Sequence, residues 1–194
     1  MTDRPRSASR PRRALRLGPA EHSLLGLLAG AGEEGIHGYD LARQFSHGAL
    51  GEIIRLEPGM LYHHLKKLDR YRLITTEIER QVDRPDRRIH TLTLDGREAL
   101  DQWLQEPVHA TREIRLDFLL KLFFTRRLAP ARLAHLIGQQ RAVLTDLLRS
   151  LTAQMEVGTA APDAERRMVL RLRLAQTEAA LEWLDSLDTT ENNA

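Results

Sequence analysis

The sequence contains no cysteine. This absence excludes disulfide bonds, thiolate metal sites and a cysteine nucleophile, and it fits a protein that works in a reducing compartment. Histidines remain as metal ligands, but His63 and His64 are adjacent and would point about 100° apart on a helix, which makes a poor chelating pair. His37, His47 and His90 have no histidine or glutamate partner at ligand spacing. We therefore expect neither a metal site nor a cofactor.

The sequence also lacks a long hydrophobic run. The longest apolar stretch, residues 24–31, is interrupted by Gly26 and Gly30 and is too short to span a bilayer. The N-terminus is rich in arginine but has no hydrophobic core of the kind that a secretory signal needs. The sequence therefore predicts a cytoplasmic protein that does not enter a membrane.

Motifs that mark enzymes are missing as well. The sequence has no glycine-rich phosphate loop, no nucleophile elbow and no pair of acids with a helper histidine. An enzyme is therefore the least supported class of function, and we expect a binding protein instead.

A formal net charge of +2 is too small to indicate a nucleic-acid partner by itself. The basic residues are nevertheless clustered: residues 1–16 contain six arginines and one acid, and two more basic clusters span residues 55–72 and 80–88. Phosphate binding depends on local positive charge, so such clusters are compatible with a DNA-binding face. They are equally typical of a solvated surface, and charge alone does not separate the two interpretations.

Three helices are predicted near the start of the chain. The first begins at Pro19, with proline at the first helical position, and ends at the glycine-containing residues 30–32. The second runs from Gly38 to about residue 45, and the stretch 48–51 after it is predicted to be a loop because it contains two glycines. The third begins at Pro58 and has three leucines, spaced four and three apart, on one face.

Two alternating segments follow the third helix. Residues 74–79 and 89–94 alternate along the chain, and the sequence Asp-Arg-Pro-Asp at residues 83–86 predicts a turn between them, so the two segments form a hairpin. A fourth helix is predicted from Asp95, which has the spacing of a capping box with Glu98, and ends before Pro107. Three helices followed by a hairpin are the element order of a winged helix-turn-helix, in which the hairpin is the wing.

The second half of the chain is predicted to be entirely helical. An apolar-faced helix covers residues 114–123, a long helix begins at Pro130 with near-heptad spacing, and a last helix follows a loop at residues 158–162. The apolar stripe of the last helix is too broad for one neighbouring helix, so we expect burial against a second copy of the chain. The residues predicted to form this dimer interface are Leu133, Ile137, Leu144, Leu151, Leu174, Leu181 and Leu184.

These patterns set the fold class and divide the chain into four parts. The expected fold is mainly α with a small β-hairpin, built from an N-terminal winged helix-turn-helix and a C-terminal helical dimerisation domain with antiparallel or coiled-coil-like packing. The predicted parts are a disordered basic arm (1–17), a winged-helix DNA-binding domain (18–106), a helical dimerisation domain (107–188) and a disordered tail (189–194).

Short motifs in both halves match those of one known family. They are Gly38-Tyr39, the segment from Pro58 to Leu68 (PGMLYHHLKKL), Leu73-Ile74, residues 88–97 and, by composition, the LLKLFF sequence of residues 119–124. With these motifs the chain resembles the PadR family of bacterial regulators, over residues 19 to about 187. The resemblance implies a homodimer that holds two winged helices against a palindromic operator. Members of this family are usually repressors, and in some of them a small aromatic molecule releases the DNA.

Three positions depart from the usual pattern of that family. Arg72 stands where a glycine usually follows the recognition helix, and His90 stands where the second wing strand usually has tyrosine. Glu57 replaces the usual small residue before the third helix. None of these changes removes the basic face, so the expected fold is unchanged.

The third helix is the predicted recognition helix, because its polar face carries groups that can contact base edges and phosphates while its leucines are buried. The hairpin arginines are placed for phosphate or minor-groove contact. An ordinary amphipathic surface helix and a solvated turn are the alternatives. The residues predicted to contact DNA are Tyr39, Gly59, Met60, Tyr62, His63, His64, Lys66, Lys67, Arg70, Arg84, Arg87 and Arg88.

Trp103 lies near the end of the fourth helix, where part of the resembled family has an aromatic residue facing a pocket between subunits. The resemblance therefore predicts that Trp103, with Phe118 or Phe123, binds a small aromatic effector. The alternative is a tryptophan that is simply packed in an interface.

The sequence thus predicts a sequence-specific DNA-binding transcriptional regulator. The competing hypothesis is a winged helix that binds another protein and uses the helical arm as a scaffold. Such a module would need no basic recognition face, so Lys66, Lys67, Arg70 and the wing arginines argue against it.

Overall fold

The computed structural model describes residues 16–80, 87–156 and 164–191, with side chains described as far as residue 187. The helices are α1 (Pro19–Ala31), α2 (Gly38–Ser46), α3 (Gly48–Ile53), α4 (Pro58–Arg70), α5 (Leu94–Gln105), α6 (Thr111–Glu113), α7 (Leu119–Leu128), α8 (Leu133–Glu156) and α9 (Ala164–Glu191). The strands are β1 (Ile36–His37), β2 (Ile74–Glu79) and β3 (Arg87–Leu92). The arm as far as residue 15, the hairpin turn with Arg84, the loop at 158–162 and the last three residues lie outside the described residues.

The predicted hairpin is confirmed, and a third strand completes it. The strand order is β1-β3-β2, with antiparallel pairing throughout. His90 in the middle of β3 pairs with Ile36 of β1 on one side and with Thr76 of β2 on the other. Strand β1 has only two residues, which is too short for a period-two pattern to reveal it from the sequence.

Two local predictions were wrong. Residues 48–51 were expected to form a loop, but they belong to α3, where Leu50 is buried against the core. Gly48 has a φ of 77°, so glycine permits the sharp change of direction between α2 and α3 rather than ending helical structure. The fourth helix, α5, begins at Leu94, and its cap is Thr93, whose side chain accepts a hydrogen bond from the Gly96 N–H at 3.1 Å.

The first hydrophobic core lies beneath the recognition helix and extends past the predicted domain boundary at residue 106. Leucines of α1, α4 and α5 pack together there with Leu120 and Phe124 of α7. Gly26 of α1 lies so close to α7 that a Cβ atom at this position would be 2.5 Å from ring carbons of Phe124. Helix α7 is therefore packed as part of the winged-helix core. Leu17 also packs against this core, so the predicted disordered arm cannot include it.

The second core lies between α8, α9 and the segment that enters α7. Gln140, the polar interruption in the long helix, is fully buried and forms two 2.8 Å hydrogen bonds with the backbone of Val108. These bonds satisfy both the amide oxygen and the amide nitrogen, which explains why a glutamine is tolerated in this core. The last helix reaches Glu191, beyond residue 189 where the tail was expected to begin.

The predicted dimer-interface leucines are mostly used within one chain. Leu133, Ile137, Leu144, Leu151 and Leu184 are each at most 6 % exposed in the single chain, and Leu174 and Leu181 are half-buried. Their burial therefore does not require a second copy, contrary to the reasoning from the sequence. Within the described part of the chain, no helix is long and apolar enough to cross a membrane.

Candidate nucleic-acid interface

Helix α4 has one buried face and one exposed polar face, as the recognition-helix prediction requires. Leu61, Leu65 and Leu68 are at most 2 % exposed and anchor the helix in the first core. The side exposed to solvent carries Gly59, Met60, Tyr62, His63, Lys66 and Arg70. The periodicity that buries the leucines thus leaves a row of polar and cationic side chains free to meet a ligand.

Two of the predicted DNA contacts, His64 and Lys67, are engaged with a buried acid. Glu21 of α1 is 3 % exposed, and its carboxylate is 2.5 Å from Nζ of Lys67 and 2.9 Å from Nδ1 of His64. It also accepts a 2.8 Å hydrogen bond from the Gly18 N–H. Burial alone would raise the pKa of Glu21, but the hydrogen bonds from Lys67, His64 and Gly18 together lower it to about 2. His64 and Lys67 therefore join α4 to α1.

The turn after α4 explains the first departure from the family pattern. Arg72 has a φ of 59°, in the left-handed region where a glycine would be unstrained. The strain for another residue is on the order of 1 kcal/mol. The Arg72 carbonyl accepts a 2.8 Å hydrogen bond from the Thr93 hydroxyl, and the Arg72 N–H donates to the Asp69 carbonyl. These bonds hold the conformation that glycine usually supplies.

A groove of about 560 Å³ separates the recognition helix from the wing. Tyr39 at the start of α2 is 73 % exposed and lies beside it, and Tyr62 of α4 packs so close to Gly38 that a Cβ there would be 3.0 Å from the tyrosine ring. The fold brings four predicted contacts from three separate elements to this one place. The lining residues are His37, Gly38, Tyr39, Asp40, Tyr62, Arg87, Arg88 and His90.

His37 and His90 were not among the predicted contacts, although both line this groove. Neither residue lies on the predicted recognition helix or among the wing arginines, so the sequence patterns did not select them. The signal that could have found them is the departure at His90 from the tyrosine usual in the family. In the part of the chain that the structure describes, no three histidine or acidic side chains form a group that could hold a metal ion.

The predicted effector residues do not come together in one chain. Trp103 is 9 % exposed in the first core, where it stacks on His22 with ring centroids 4.4 Å apart and lies 4.6 Å from Nζ of Lys121. Phe123 packs on Phe124 beside this core, whereas Phe118 is fully buried in the second core. The packed-tryptophan alternative therefore describes the single chain.

The side chain of Lys121 places a buried ammonium group beside the ring of Trp103. Its ammonium donates to the backbone carbonyls of Trp103 and Glu106 at the end of α5, so it caps that helix from α7. Burial lowers the pKa of Lys121 to about 8. Burial and the charge of Lys121 together lower the pKa of His22 to about 4, so its ring is neutral at pH 7.

Comparison with known proteins agrees with this geometry. The family profile described as the transcriptional regulator PadR-like family matches residues 25–102, and the profile described as virulence activator alpha C-term matches residues 114–190. The negative transcriptional regulator PadR of Bacillus subtilis is 29 % identical over an alignment of 177 residues, and the match covers 86 % of this chain and 94 % of that protein. The probable transcriptional regulator Rv1176c of Mycobacterium tuberculosis is 25 % identical over an alignment of 173 residues, and the match covers 80 % of this chain and 89 % of that protein.

Among solved structures, the crystal structure of Bacillus subtilis PadR in complex with operator DNA is similar, with 25 % identity and a TM-score of 0.43 over 86 % of this chain and 95 % of that one. The two profiles span the recognition helix, the wing and both long C-terminal helices, and they confirm the resemblance first seen in the motifs. The chain therefore belongs to the PadR-like family of transcriptional regulators, in the form with a helical C-terminal domain.

Proposed function

We propose that this protein represses transcription by binding a palindromic operator as a homodimer. The observation that carries the proposal is the convergence of the polar face of α4, the start of α2 and the arginines of β3 on one surface. The name of the Bacillus subtilis relative, a negative transcriptional regulator, supports repression rather than activation. The proposal includes no catalytic step, and it places the protein in the cytoplasm because bacterial DNA lies there.

In this proposal α4 enters the major groove. Tyr62, His63 and Lys66 are exposed on its polar face and lie within reach of base edges and phosphates, while the three buried leucines hold the helix at a constant depth. His64 and Lys67 act mainly by fixing α4 to α1, since Glu21 holds both.

The wing contributes contacts to the phosphate backbone. Arg87 and Arg88 are exposed at the start of β3, and both line the groove that Tyr39 also lines. Contacts of this kind give affinity and fix the register of the protein on DNA, but they do not read the sequence. The assignment of Arg84 to the same role rests on the sequence.

A second copy of the chain is proposed to cover the exposed apolar side of α9. Met168 is 66 % exposed and Leu172 is 59 % exposed, and Ala175 and Ala179 continue the same stripe at spacings of three and four residues. Apolar residues repeated in this way along a helix form a seam that a partner helix can bury. These residues replace the buried leucines as the centre of the proposed interface.

Release by a small aromatic effector is the last part of the proposal, and it rests on the family resemblance. Because Trp103 is packed between His22 and Lys121 in one chain, a ligand at this ring would have to displace one of them. An effector at Trp103 is therefore expected to change the environment of the tryptophan.

The proposal is tested by fluorescence anisotropy of a labelled duplex taken from the region upstream of the protein's own gene, titrated at two salt concentrations with excess competitor DNA. We expect saturable binding that survives the competitor, at two chains per duplex. Lys66→Ala should weaken binding and reduce the salt slope by about two, because the bound dimer loses one phosphate contact in each chain. Lys67→Ala should change the slope less, since Glu21 already holds that ammonium.

Arg126→Ala is the matched control, because it removes an exposed positive charge from α7 rather than from the interface. An unchanged slope and affinity in Lys66→Ala would exclude α4 as the reading helix. Binding that disappears with competitor would leave only a generic basic surface, and a protein partner would then replace the operator as the target.

A further inference from the structure

The groove between α2, α4 and β3 has the features of a site for a single anion. It is lined by Arg87, Arg88 and two histidines, against one acid, Asp40. The nine-residue helix α2 begins at Gly38 on its wall, so N–H groups of the first turn, which lack partners inside the helix, face this region. Two tyrosines, Tyr39 and Tyr62, supply hydroxyl groups at the rim.

His90 is the more deeply buried of the two histidines in this lining, and each of the two has one buried ring nitrogen without a hydrogen-bond partner among the described residues. His90 is 4 % exposed and pairs with Ile36 and Thr76 in the middle of the sheet. Its Nδ1 is 3.0 Å from Oγ1 of Thr76, but its Nε2 is buried without a hydrogen-bond partner among the residues that the structure describes. A buried ring nitrogen with no partner is rare in a folded protein and marks a place where a ligand can supply the missing bond.

The hydrogen bonds of Thr76 decide which ring nitrogen of His90 carries the proton. The Thr76 hydroxyl has one hydrogen, which it donates to Oδ1 of Asp69 at 3.3 Å. While that hydrogen is donated to Asp69, Oγ1 of Thr76 accepts from Nδ1–H of His90, 3.0 Å away. The neutral His90 ring therefore has a lone pair, not a hydrogen, at Nε2.

A phosphodiester has only acceptor atoms, so it gains nothing from the lone pair of a neutral His90. Protonation changes Nε2 into a donor and adds a positive charge at the floor of the groove. The same step leaves the bonds to Thr76 and Asp69 in place. Proton uptake and phosphate binding at this groove therefore favour each other.

We propose that the groove holds one phosphate of the DNA backbone and that His90 takes up a proton when this phosphate binds. The inference rests on the proposed function and deepens it, since it names a phosphate contact and makes the affinity depend on pH. His90 contributes to the contact together with Arg88 and the start of α2.

Burial and the neighbouring charges hold the pKa of His90 below its usual value in the free protein. Burial is the main cause that lowers its pKa below the usual 6.5, the positive charges of Arg88 on β3 and His37 on β1 lower it further, and Asp69 of α4 opposes them. A carboxylate oxygen of Glu79 on β2 lies 3.9 Å from Nε2 of His37 and partly offsets the effect of that ring on His90. Asp40 of α2 lines the groove as well. A bound phosphate adds a negative charge to this set, so it raises the pKa of His90 toward its usual value.

Linkage then gives the sign of the effect. Each chain in the complex binds up to one proton more than the free chain as the pH falls from the pKa of His90 in the complex toward its lower value in the free protein, so affinity increases toward acid pH. Each proton allows a gain of at most about tenfold per pH unit in this window, so a dimer that uses both grooves gains at most about a hundredfold. Since a phosphate contact is independent of sequence, any duplex reports it.

The test is the affinity for a mixed-sequence 24-base-pair duplex between pH 5.5 and 8.0 at constant low ionic strength. We expect binding by the unmodified protein to strengthen about three- to tenfold toward pH 5.5, and we expect His90→Gln to lose this gain. His135→Gln, which changes an exposed histidine of α8 outside the proposed DNA-contacting surface, is the matched control for the other histidines and should keep this gain. Equal pH dependence in His90→Gln and the unmodified protein would overturn the inference.

Thr76→Val gives a second test that does not alter the histidine. Without the hydroxyl, the neutral ring is free to carry its hydrogen at Nε2, so affinity at pH 8 should rise and the pH dependence should flatten. An unchanged pH profile in this variant would contradict the hydrogen-bond argument.

The source of the phosphate is tested by following the His90 ring by NMR. Duplex DNA should raise the pKa of His90, whereas inorganic phosphate at matched ionic strength should not. An equal rise with inorganic phosphate would show a site for free anions and overturn the assignment to DNA. Loss of sequence preference at pH 8 would refute the proposed function instead, because a nonspecific duplex still reports the groove.

Discussion

The ionised carboxylate of Glu21 is expected to stabilise the fold by joining the recognition helix α4 to α1. It is 3 % exposed and accepts hydrogen bonds from Lys67, His64 and the Gly18 N–H, which join α4 to the start of α1. Glu21→Gln keeps the size of the side chain and removes its charge. It therefore tests whether this charge cluster holds the recognition helix in place.

The size of the expected stabilisation follows from the pKa of Glu21. The pKa of Glu21 is about 2 in the folded protein against 4.5 for a free side chain, and one pKa unit corresponds to about 1.4 kcal/mol. The ionised carboxylate therefore contributes up to about 3 kcal/mol at pH 7. We expect Glu21→Gln to lose about 2–3 kcal/mol of the free energy of unfolding, because Lys67 is 28 % exposed and can turn partly toward water when its partner is gone.

The pH dependence has a definite sign. Because the folded pKa lies below the unfolded one, the contribution is complete above about pH 4.5 and is lost as the pH falls from 4.5 toward 2. The stability difference between the unmodified protein and Glu21→Gln should therefore fall to about half at pH 3. The other carboxylates that titrate in this pH range contribute equally to the free energy of unfolding of both proteins, so their contribution cancels in the difference.

Urea unfolding followed by tryptophan fluorescence, at pH 7 and pH 3 and at one fixed protein concentration, measures this difference. Glu33→Gln, at an exposed acid in the turn after α1, is the control and should change stability by less than about 0.5 kcal/mol. A loss below about 0.5 kcal/mol in Glu21→Gln at pH 7 would refute the reasoning. So would a loss of the same size at both pH values.

Two further predictions concern packing and ligand release. Gly26→Ala places a Cβ 2.5 Å from ring carbons of Phe124 and should lower the free energy of unfolding by about 1–3 kcal/mol, measured by thermal unfolding. Gly30→Ala is the control, because the nearest atom is 3.9 Å away, and it should be neutral or stabilising by up to about 1 kcal/mol. Equal melting temperatures of the two variants would contradict the close approach of α1 and α7. In a Trp183→Phe background, where Trp103 is the only tryptophan, planar aromatic acids that release the operator should change its emission. Release with no change in emission would place the effector elsewhere.

Much of the winged helix was predictable because its signals are local. The spacing of apolar residues and the prolines at Pro19 and Pro58 predicted the starts of α1 and α4, and α4 ends at Arg70 as the leucine spacing suggests. Alternation predicted β2, and it predicted β3 with a shift of two residues. Such patterns depend only on which side of an element is buried.

The elements that were missed have weak or ambiguous local signals. Helix α3 has six residues and two glycines, and β1 has two residues that form a strand only because β3 lies beside them. At the start of α5, Thr93 and Asp95 both suit a helix cap, and the position of Leu73 and Arg72 next to Thr93 selects the threonine.

The site shows the same division. The sequence alone determined that α4 is amphipathic, that its outer face is polar and that the wing is basic, since these are properties of single elements. Only the tertiary structure decided that Glu21, 43 and 46 residues away, binds His64 and Lys67, that most of the predicted interface leucines are buried in one chain, and that His90 lines the groove between α2, α4 and β3. These outcomes depend on which distant side chains meet, and a periodic pattern specifies the buried side of an element without specifying its partner.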